Sequence, residues 1–243
     1  MNSKLRWAVQ GFVPRVIYKR ILDLDAFDKE YINRDLGIHG QKAEDLVIDA
    51  FLGVRKNGFY VDVGANDPNI NNNTKRFYDR GWSGINIEPN PIRADALRTA
   101  RPKDTVLNLG ASSIDGELRF HIFDVDALST FNTEQAKVFS KTNQLVGTES
   151  IKVRKLSTIL AEHADGQHID FMSVDVEGYE LDVIAGNDWK KYRPELLVME
   201  INLDREKKIK AMQFHGYELA YYNGLNGFFI DRDVKSGEVR QCE

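Results

Sequence analysis

Short apolar runs alternate along the chain with segments whose apolar residues recur at helical spacing. The apolar runs predict five buried strands, at residues 59–63, 83–87, 105–109, 170–174 and 196–199. Helical patterns lie between or after them, at residues 73–79, 92–100, 156–163, 179–185 and 205–214. Strands that alternate with helices indicate βαβ units, and therefore a parallel sheet with helices on both faces.

The end of the pattern differs from this alternation. Residues 217–222 and 228–230 predict two strands joined by a turn rich in asparagine and glycine. Such a hairpin indicates that the sheet ends with an antiparallel strand. A further strand is predicted at residues 118–123, after the turn signal Asp115-Gly116. Because no repeat or linker interrupts the pattern, we expect one domain over residues 39–243.

Residues 1–38 form a separate N-terminal extension. Apolar residues recur there at helical spacing with basic residues between them, and Pro14 interrupts the pattern. The favoured interpretation is a helical segment that packs on the domain or on a second subunit of a homo-oligomer. The alternative is an amphipathic basic segment that makes peripheral contact with an anionic membrane surface.

Composition narrows the classes of partner and compartment. The 243 residues include 33 basic and 37 acidic ones, a formal net charge of −4. A mildly acidic chain lacks the positive field that favours phosphate backbones, so no nucleic-acid partner is expected. The single cysteine, Cys242, cannot form an internal disulfide. With no signal-peptide pattern, we expect a cytoplasmic protein, at the inner face of the membrane if residues 1–38 bind there.

Acidic residues stand at the carboxyl ends of four predicted strands. They are Asp62, Glu88, Asp175 and Glu200. Ligands of open α/β sheets bind outside the carboxyl ends of the strands. Four acids in these positions therefore predict a binding site rather than four structural loops.

The first two of these strand ends indicate the kind of cofactor. The turn at residues 62–68 has Gly64 and Ala65, which let the backbone approach a ligand, but it lacks the later glycines that a pyrophosphate requires. Asp67 would also repel a phosphate, so a cationic ligand such as S-adenosylmethionine fits better. Glu88 stands where an acid accepts hydrogen bonds from ribose hydroxyls. A nicotinamide cofactor and a non-catalytic nucleotide-binding protein stay open as alternatives.

The later strand ends supply candidate catalytic groups. Asp175 and Glu177 could deprotonate a hydroxyl, hold a metal or orient a sugar. The structural alternative is that one of them caps the helix predicted at residue 179. Glu200 and Asn202 follow the fifth strand, and the oxygen ligands Asp175, Glu200 and Asn202 would suit Mg²⁺. The sequence leaves metal binding open. The lysine-rich run at 207–210 is interpreted as a solvated helix face.

Taken in order, these segments resemble the FkbM family of S-adenosylmethionine-dependent methyltransferases. The matching segments are residues 60–68, 81–89, 169–171 and 175–178, followed by Arg193-Pro194 and Asn223-Gly224-Leu225-Asn226. Gln41 with Glu44-Asp45 resembles the opening motif of the family, and Leu128-Ser129-Thr130-Phe131 its middle motif. The resemblance covers residues 39–231.

The resemblance implies a Rossmann-like class I methyltransferase, with a mostly parallel seven-stranded sheet whose last strand is antiparallel. It implies O-methylation, often of a sugar hydroxyl in polysaccharide biosynthesis or of a secondary metabolite. It places Asp175 and Glu177 facing the transferred methyl, and with the strand-end acid Glu200 they are the predicted catalytic residues. Cofactor contacts are implied for Asp62, Gly64, Ala65, Asn66, Glu88, Ala111 and Ser112, and we also predict them for Asp67 and Thr74. Acceptor contacts are implied for Ser129, Thr130 and Asn226.

Overall fold

The computed structural model describes residues 37–53 and 55–232. The helix predicted within residues 1–38 lies outside the described residues, apart from residues 37 and 38. Ten strands follow one another: β1 (Phe59–Val63), β2 (Ser83–Ile87), β3 (Thr105–Leu107), β4 (Gly110–Ser112), β5 (Gly116–Phe123), β6 (Leu145–Lys155), β7 (Phe171–Val174), β8 (Leu196–Glu200), β9 (Tyr217–Tyr222) and β10 (Asn226–Asp231).

Seven of these strands form the central sheet, in the order β3-β2-β1-β7-β8-β10-β9. Strands β3, β2, β1, β7 and β8 pair in parallel, whereas β10 runs antiparallel to both β8 and β9. The last strand of the described residues, β10, is therefore inserted antiparallel between β8 and β9. The predicted class I methyltransferase sheet is confirmed.

A second, three-stranded sheet stands beside the central one, in the order β4-β6-β5. The extra strand predicted at residues 118–123 is part of it, as β5. Strands β4 and β6 were not predicted. Much of β6 is exposed, so its sequence carries no continuous apolar run. A short 3₁₀ helix at Asp126–Leu128 follows β5.

Seven α-helices are described: α1 (Glu44–Leu52), α2 (Lys75–Asp79), α3 (Pro91–Ala100), α4 (Thr133–Phe139), α5 (Leu156–His163), α6 (Glu180–Ala185) and α7 (Arg205–Phe214). The predicted bounds of α5 and α7 are confirmed, and α2 begins two residues later than predicted. Helices α1 and α4 were not predicted. No described helix has both the length and the apolar character that crossing a membrane requires.

Both faces of the central sheet are buried, as a parallel sheet requires. On one face, Val61 and Val63 of β1 pack in a core with Ile159 of α5 and Val183 of α6. On the other face, Tyr60 belongs to a second core with residues of α1 and α2. This packing fixes the strands from both sides and leaves their carboxyl ends free to form a site.

Candidate functional site

A cavity opens between the carboxyl ends of β1, β2 and β7 and the three-stranded sheet. It spans about 540 Å³ of space, a volume that includes open solvent at its mouth. The central sheet contributes Val63, Gly64, Asn66, Ile87, Glu88, Asp175, Val176 and Glu177, among others, and the other wall includes Ala111, Phe120, Ser129, Thr130 and Phe131. Two of the four strand-end acids, Glu88 and Asp175, line it.

Gly64 allows two strand ends to meet at the floor of this cavity. Its φ is +83°, and a Cβ built there would lie 1.9 Å from the carbonyl oxygen of Asp175. The Gly64 N–H donates to the Ile87 carbonyl oxygen at 2.9 Å, which ties the turn to β2. Only glycine fits this close approach without displacement of the Asp175 backbone.

Glu88 lies in the cavity wall with its carboxylate fixed by backbone groups. One oxygen accepts from the N–H of Asn66 and the other from the N–H of Asn90, each at 2.8 Å. Burial raises the pKa of Glu88 to about 7. Each carboxylate oxygen keeps a further lone pair, so this rigid group can accept hydrogen bonds from a diol such as ribose. The Oδ1 of Asn66 is buried with no hydrogen-bond partner among the described residues.

Asp175 and Glu177 line the cavity, and their carboxylates cluster with that of Glu200, which lies outside the lining. One carboxylate oxygen from each lies within 4.8 Å of the others. Oδ1 of Asp175 and Oε2 of Glu200 are buried and accept no hydrogen bond from the described residues. Burial, reinforced by the neighbouring negative charges, raises the pKa of all three carboxyls. This end of the site attracts a cation or holds a proton at neutral pH.

The helix-capping alternative for Asp175 and Glu177 is wrong. Helix α6 begins at Glu180, and its N-cap residue is Tyr179, which makes no side-chain capping bond. Glu177 instead takes a φ of +53°, and its carbonyl oxygen accepts from Oγ1 of Thr130 at 2.9 Å. Thr130, which bridges to His121 of β5, therefore helps to hold the segment that carries these carboxylates.

Several predicted cofactor residues lie behind the cavity wall rather than in it. Asp62 is buried, and its carboxylate accepts from Oγ1 of Thr74 at 2.8 Å. Thr74 also accepts from the buried guanidinium of Arg101 at 2.6 Å. The backbone oxygen of Ala65 accepts from Asn72 at 3.0 Å. These residues support the turn of Gly64 from below, and a direct contact with a cofactor stays a prediction.

Asp67 and Arg93 form part of the mouth of the site. Arg93 lines the cavity, and its guanidinium pairs with Asp67 at 2.6 Å and also with Asp126. Helix α2 begins only at Lys75, so Asp67 is not part of its first turn. Sequence reasoning missed Arg93 and Asp126, because neither belongs to the strand-end motifs.

The residues predicted for the adenine and acceptor sides occupy different places. Ala111 lines the cavity, whereas Oγ of Ser112 lies 3.0 Å from the hydroxyl of Tyr179. Ser129 and Thr130 both line the cavity, although Oγ of Ser129 accepts from the N–H of Phe123.

Two more predicted residues lie at the edge of this site. Asn226 is buried outside the lining and donates to Glu44 at 3.0 Å. Asn202 donates through its amide nitrogen to Glu200 at 2.8 Å, so this nitrogen, not its oxygen, faces the carboxylate. Glu44 belongs to the opening motif of the family resemblance, which gave it no role in the site. Its negative charge contributes to the raised pKa of Asp175.

The prediction that the lysine-rich run is a solvated helix face is wrong for Lys208. The run at 207–210 was predicted to be solvated, but Lys208 is buried and pairs with the buried Glu180 at 2.6 Å. Its ammonium also donates to the carbonyl oxygen of Glu200 at 3.0 Å. A lysine in a charged run gives no sequence signal of such a partner, because the contact arises only when α6 and α7 meet.

Three solved structures are similar to this chain at low identity. Methyltransferase FkbM from Methylobacillus flagellatus KT is 11% identical with a TM-score of 0.45, over 92% of this chain and 60% of that one. A TehB-like SAM-dependent methyltransferase from Corynebacterium glutamicum ATCC 13032 Kitasato is 12% identical (TM-score 0.42; 85% and 96% covered). Precorrin-6y C5,15-methyltransferase from Geobacter metallireducens GS-15 is 13% identical (TM-score 0.43; 78% and 87% covered).

The family is established by the sequence. This chain spans about 60% of the length of the Methylobacillus protein, and no protein with a curated description matches it. A family model described as the methyltransferase FkbM domain matches residues 62–222, which is well over half of the chain. The matched range includes the Gly64 turn, Glu88 and all three clustered carboxylates. The chain belongs to the FkbM family of S-adenosylmethionine-dependent methyltransferases.

Proposed function

We propose that this cavity binds S-adenosylmethionine and that the protein transfers the methyl group to a hydroxyl. The supporting observation is the charge of the cavity. Its described lining carries the acids Glu88, Asp126, Asp175 and Glu177, and its one basic residue, Arg93, is already paired with two carboxylates. A sulfonium and an ammonium complement such a wall, whereas the pyrophosphate of a nicotinamide cofactor would be repelled.

The position of each group suggests how the cofactor would lie. Glu88 would accept hydrogen bonds from the ribose hydroxyls, with Ala111 beside the adenine. The unpartnered Oδ1 of Asn66 would accept from the ammonium of the methionine part. The sulfonium methyl would then face Asp175 and Glu177 at the far end of the cavity.

The proposed reaction is an in-line displacement in which the clustered carboxylates act as base. The acceptor oxygen attacks the methyl carbon, the carbon–sulfur bond breaks toward sulfur, and the hydroxyl proton passes to Asp175. Burial and the neighbouring negative charges raise the pKa of Asp175, which makes its carboxylate a stronger base for this proton transfer. Glu177 and Glu200 would share the negative charge with it.

The acceptor and its surroundings extend the proposal. We propose a sugar hydroxyl of a glycan or a secondary metabolite as acceptor, bound beside Ser129 and Thr130.

Mg²⁺ at Asp175, Glu200 and Asn202 stays a prediction. Dialysis against a chelator should abolish methyl transfer if the reaction needs this metal, and should leave it unchanged if the carboxylates act as base without a metal. A cytoplasmic location, a homo-oligomer and membrane contact through residues 1–38 also stay predictions.

The experiment compares Asp175→Asn with a matched control, Asp165→Asn. Asp165 is exposed and, among the described residues, pairs only with Lys191, which is also exposed. Asp165→Asn therefore makes the same chemical change outside the cavity lining. We expect Asp175→Asn to bind S-adenosylhomocysteine as the wild type does. Transfer of labelled methyl from S-adenosylmethionine to a panel of sugar acceptors should fall by about 100-fold or more. Full turnover of Asp175→Asn would remove this residue from the mechanism.

A further inference from the structure

A buried ion pair lies beneath the carboxylate cluster. The ammonium of Lys208 is 2.6 Å from Oε2 of Glu180, and the side chains are 2% and 0% exposed. Lys208 also donates to the carbonyl oxygen of Glu200 at 3.0 Å. Withdrawing two charges from water is costly, and apolar residues of similar volume are often as stable there. Stability alone is therefore a weak reason for this pair.

The other oxygen of Glu180 contacts the segment that carries the cluster. Its Oε1 accepts from the N–H of Gly178 at 3.0 Å and from the N–H of Val176 at 3.3 Å. Glu177 stands between these two amides, with the left-handed φ of +53°. A non-glycine residue persists in that conformation when its surroundings hold it there.

The opposite side of the same segment is held by the residues between the 3₁₀ helix and α4. Thr130 donates to the carbonyl oxygen of Glu177 at 2.9 Å, and Asn132, the N-cap of α4, donates to that of Gly178 at 2.7 Å. The N–H groups of Val176 and Gly178 therefore bond to α6, and the carbonyl groups of Glu177 and Gly178 bond to Thr130 and Asn132. The backbone has partners on both sides, which fixes the direction of the Glu177 side chain.

We propose that the Glu180–Lys208 ion pair is a positioning device, which holds residues 176–178 so that Glu177 faces Asp175 and Glu200 in the cavity. Lys208 fixes Glu180 by charge, and Glu180 fixes the two amides. Through its bond to the Glu200 carbonyl, Lys208 also ties the end of β8 to the same assembly. Neither residue touches the cofactor. The predicted effect of the ion pair on cofactor affinity rests on the proposed function.

The test replaces the pair by two apolar residues of similar length, in Glu180→Met/Lys208→Met. Lys208→Met alone would leave a buried carboxylate uncompensated and could unfold the protein. The matched control is Lys207→Met, because Lys207 is a neighbouring lysine that is 70% exposed and pairs with Asp204 on the surface. Amide hydrogen exchange reports the segment directly, and calorimetric titration with S-adenosylmethionine reports its consequence.

We expect the double variant to fold and to exchange the amides of Val176 and Gly178 faster, by about tenfold or more. The amide of Asp175, which donates to the Val63 carbonyl within the sheet, should keep its protection. Affinity for S-adenosylmethionine should fall by about tenfold, and Lys207→Met should change neither measurement.

Two results would overturn the inference: unchanged exchange at Val176 and Gly178, or an affinity within about twofold of the wild type despite faster exchange. A wild-type protein that binds no S-adenosylmethionine would refute the proposed function instead. In that case the exchange measurement still decides whether the ion pair holds the segment.

Discussion

Gly64→Ala is the substitution whose effect the structure defines most sharply. Gly64 combines a positive φ with a backbone contact that leaves no room for a methyl group. Gly166 is a control for the positive φ alone, because its φ is +73° and a Cβ added there would meet no heavy atom within 4 Å. Gly166→Ala therefore carries the backbone strain alone, and Gly64→Ala carries the strain and the collision.

The magnitude follows from the two contributions. Placing an L-residue in the left-handed region costs about 1–2 kcal/mol, which both variants share. At Gly64 the new Cβ would lie 1.9 Å from the Asp175 oxygen, whereas ordinary contact begins at 3.4 Å. The Asp175 carbonyl must therefore retreat by about 1.5 Å, and forced overpacking of this kind costs about 1–3 kcal/mol more. We expect about 2–5 kcal/mol of lost stability for Gly64→Ala.

Urea unfolding and calorimetric titration with S-adenosylhomocysteine measure the two consequences. Gly166→Ala should lose only about 1–2 kcal/mol of unfolding free energy and should bind the ligand normally. Gly64→Ala should lose more and should bind at least about tenfold more weakly, because Asp175 and the cavity floor are displaced. If Gly64→Ala is as stable as Gly166→Ala and binds equally well, the close approach of β1 and β7 does not shape the site.

Further predictions concern Glu88 and Arg101. Glu88→Gln should weaken S-adenosylhomocysteine binding by about tenfold in calorimetric titration, because a neutral amide accepts ribose hydrogen bonds less strongly and loses an acceptor for the N–H of Asn66 or Asn90. Since burial raises the pKa of Glu88 to about 7, the folded state binds its proton more tightly than the unfolded state does. Glu88 therefore contributes fully to the unfolding free energy at low pH, and this contribution is lost as the pH rises toward 7. Urea titrations at several pH values should show that the unfolding free energy of Glu88→Gln falls less over this range than that of the wild type. Arg101→Met should cost about 3–5 kcal/mol, again measured with urea, because it leaves the buried Asp62 without a nearby positive charge and removes the donor to Thr74, Asn72 and the Pro68 carbonyl oxygen; a loss below about 1 kcal/mol would contradict this reasoning.

The central sheet could be predicted because its strands are continuous apolar runs buried on both faces. Strand β3 ends two residues earlier than predicted, since Asn108 leaves the sheet and donates to the carbonyl oxygens of Glu88 and Pro89. Strand β6 was missed for the opposite reason: most of its side chains are exposed, and its place depends on pairing with β5.

Helix α1 shows how buried charge hides a helix from sequence reasoning. Glu44, Asp45 and Asp49 are all buried on it, so the apolar periodicity is interrupted where the helix faces the protein. Asp49 is paired with Arg76 and Arg80 of the α2 region. These partners lie about 30 residues away in the chain, and their contacts appear only in the folded molecule.

Much of the candidate site could be predicted from the rule that ligands bind at the carboxyl ends of parallel strands. That rule placed Glu88, Asp175 and Glu200 near one cavity, and Gly64 at its floor. It could not distinguish a side chain in the wall from one behind it, as for Asp62. It also could not find Lys208 or Arg93, whose roles depend on ion pairs between separate elements.

The measurement that tests the account most directly is calorimetric titration of the protein with S-adenosylhomocysteine, with NADH as the control ligand. The account predicts micromolar binding of S-adenosylhomocysteine by the wild type, no binding of NADH, and at least about tenfold weaker binding of S-adenosylhomocysteine by Gly64→Ala. Binding of NADH, or no binding of S-adenosylhomocysteine, would contradict the assignment of this acidic cavity to a sulfonium cofactor.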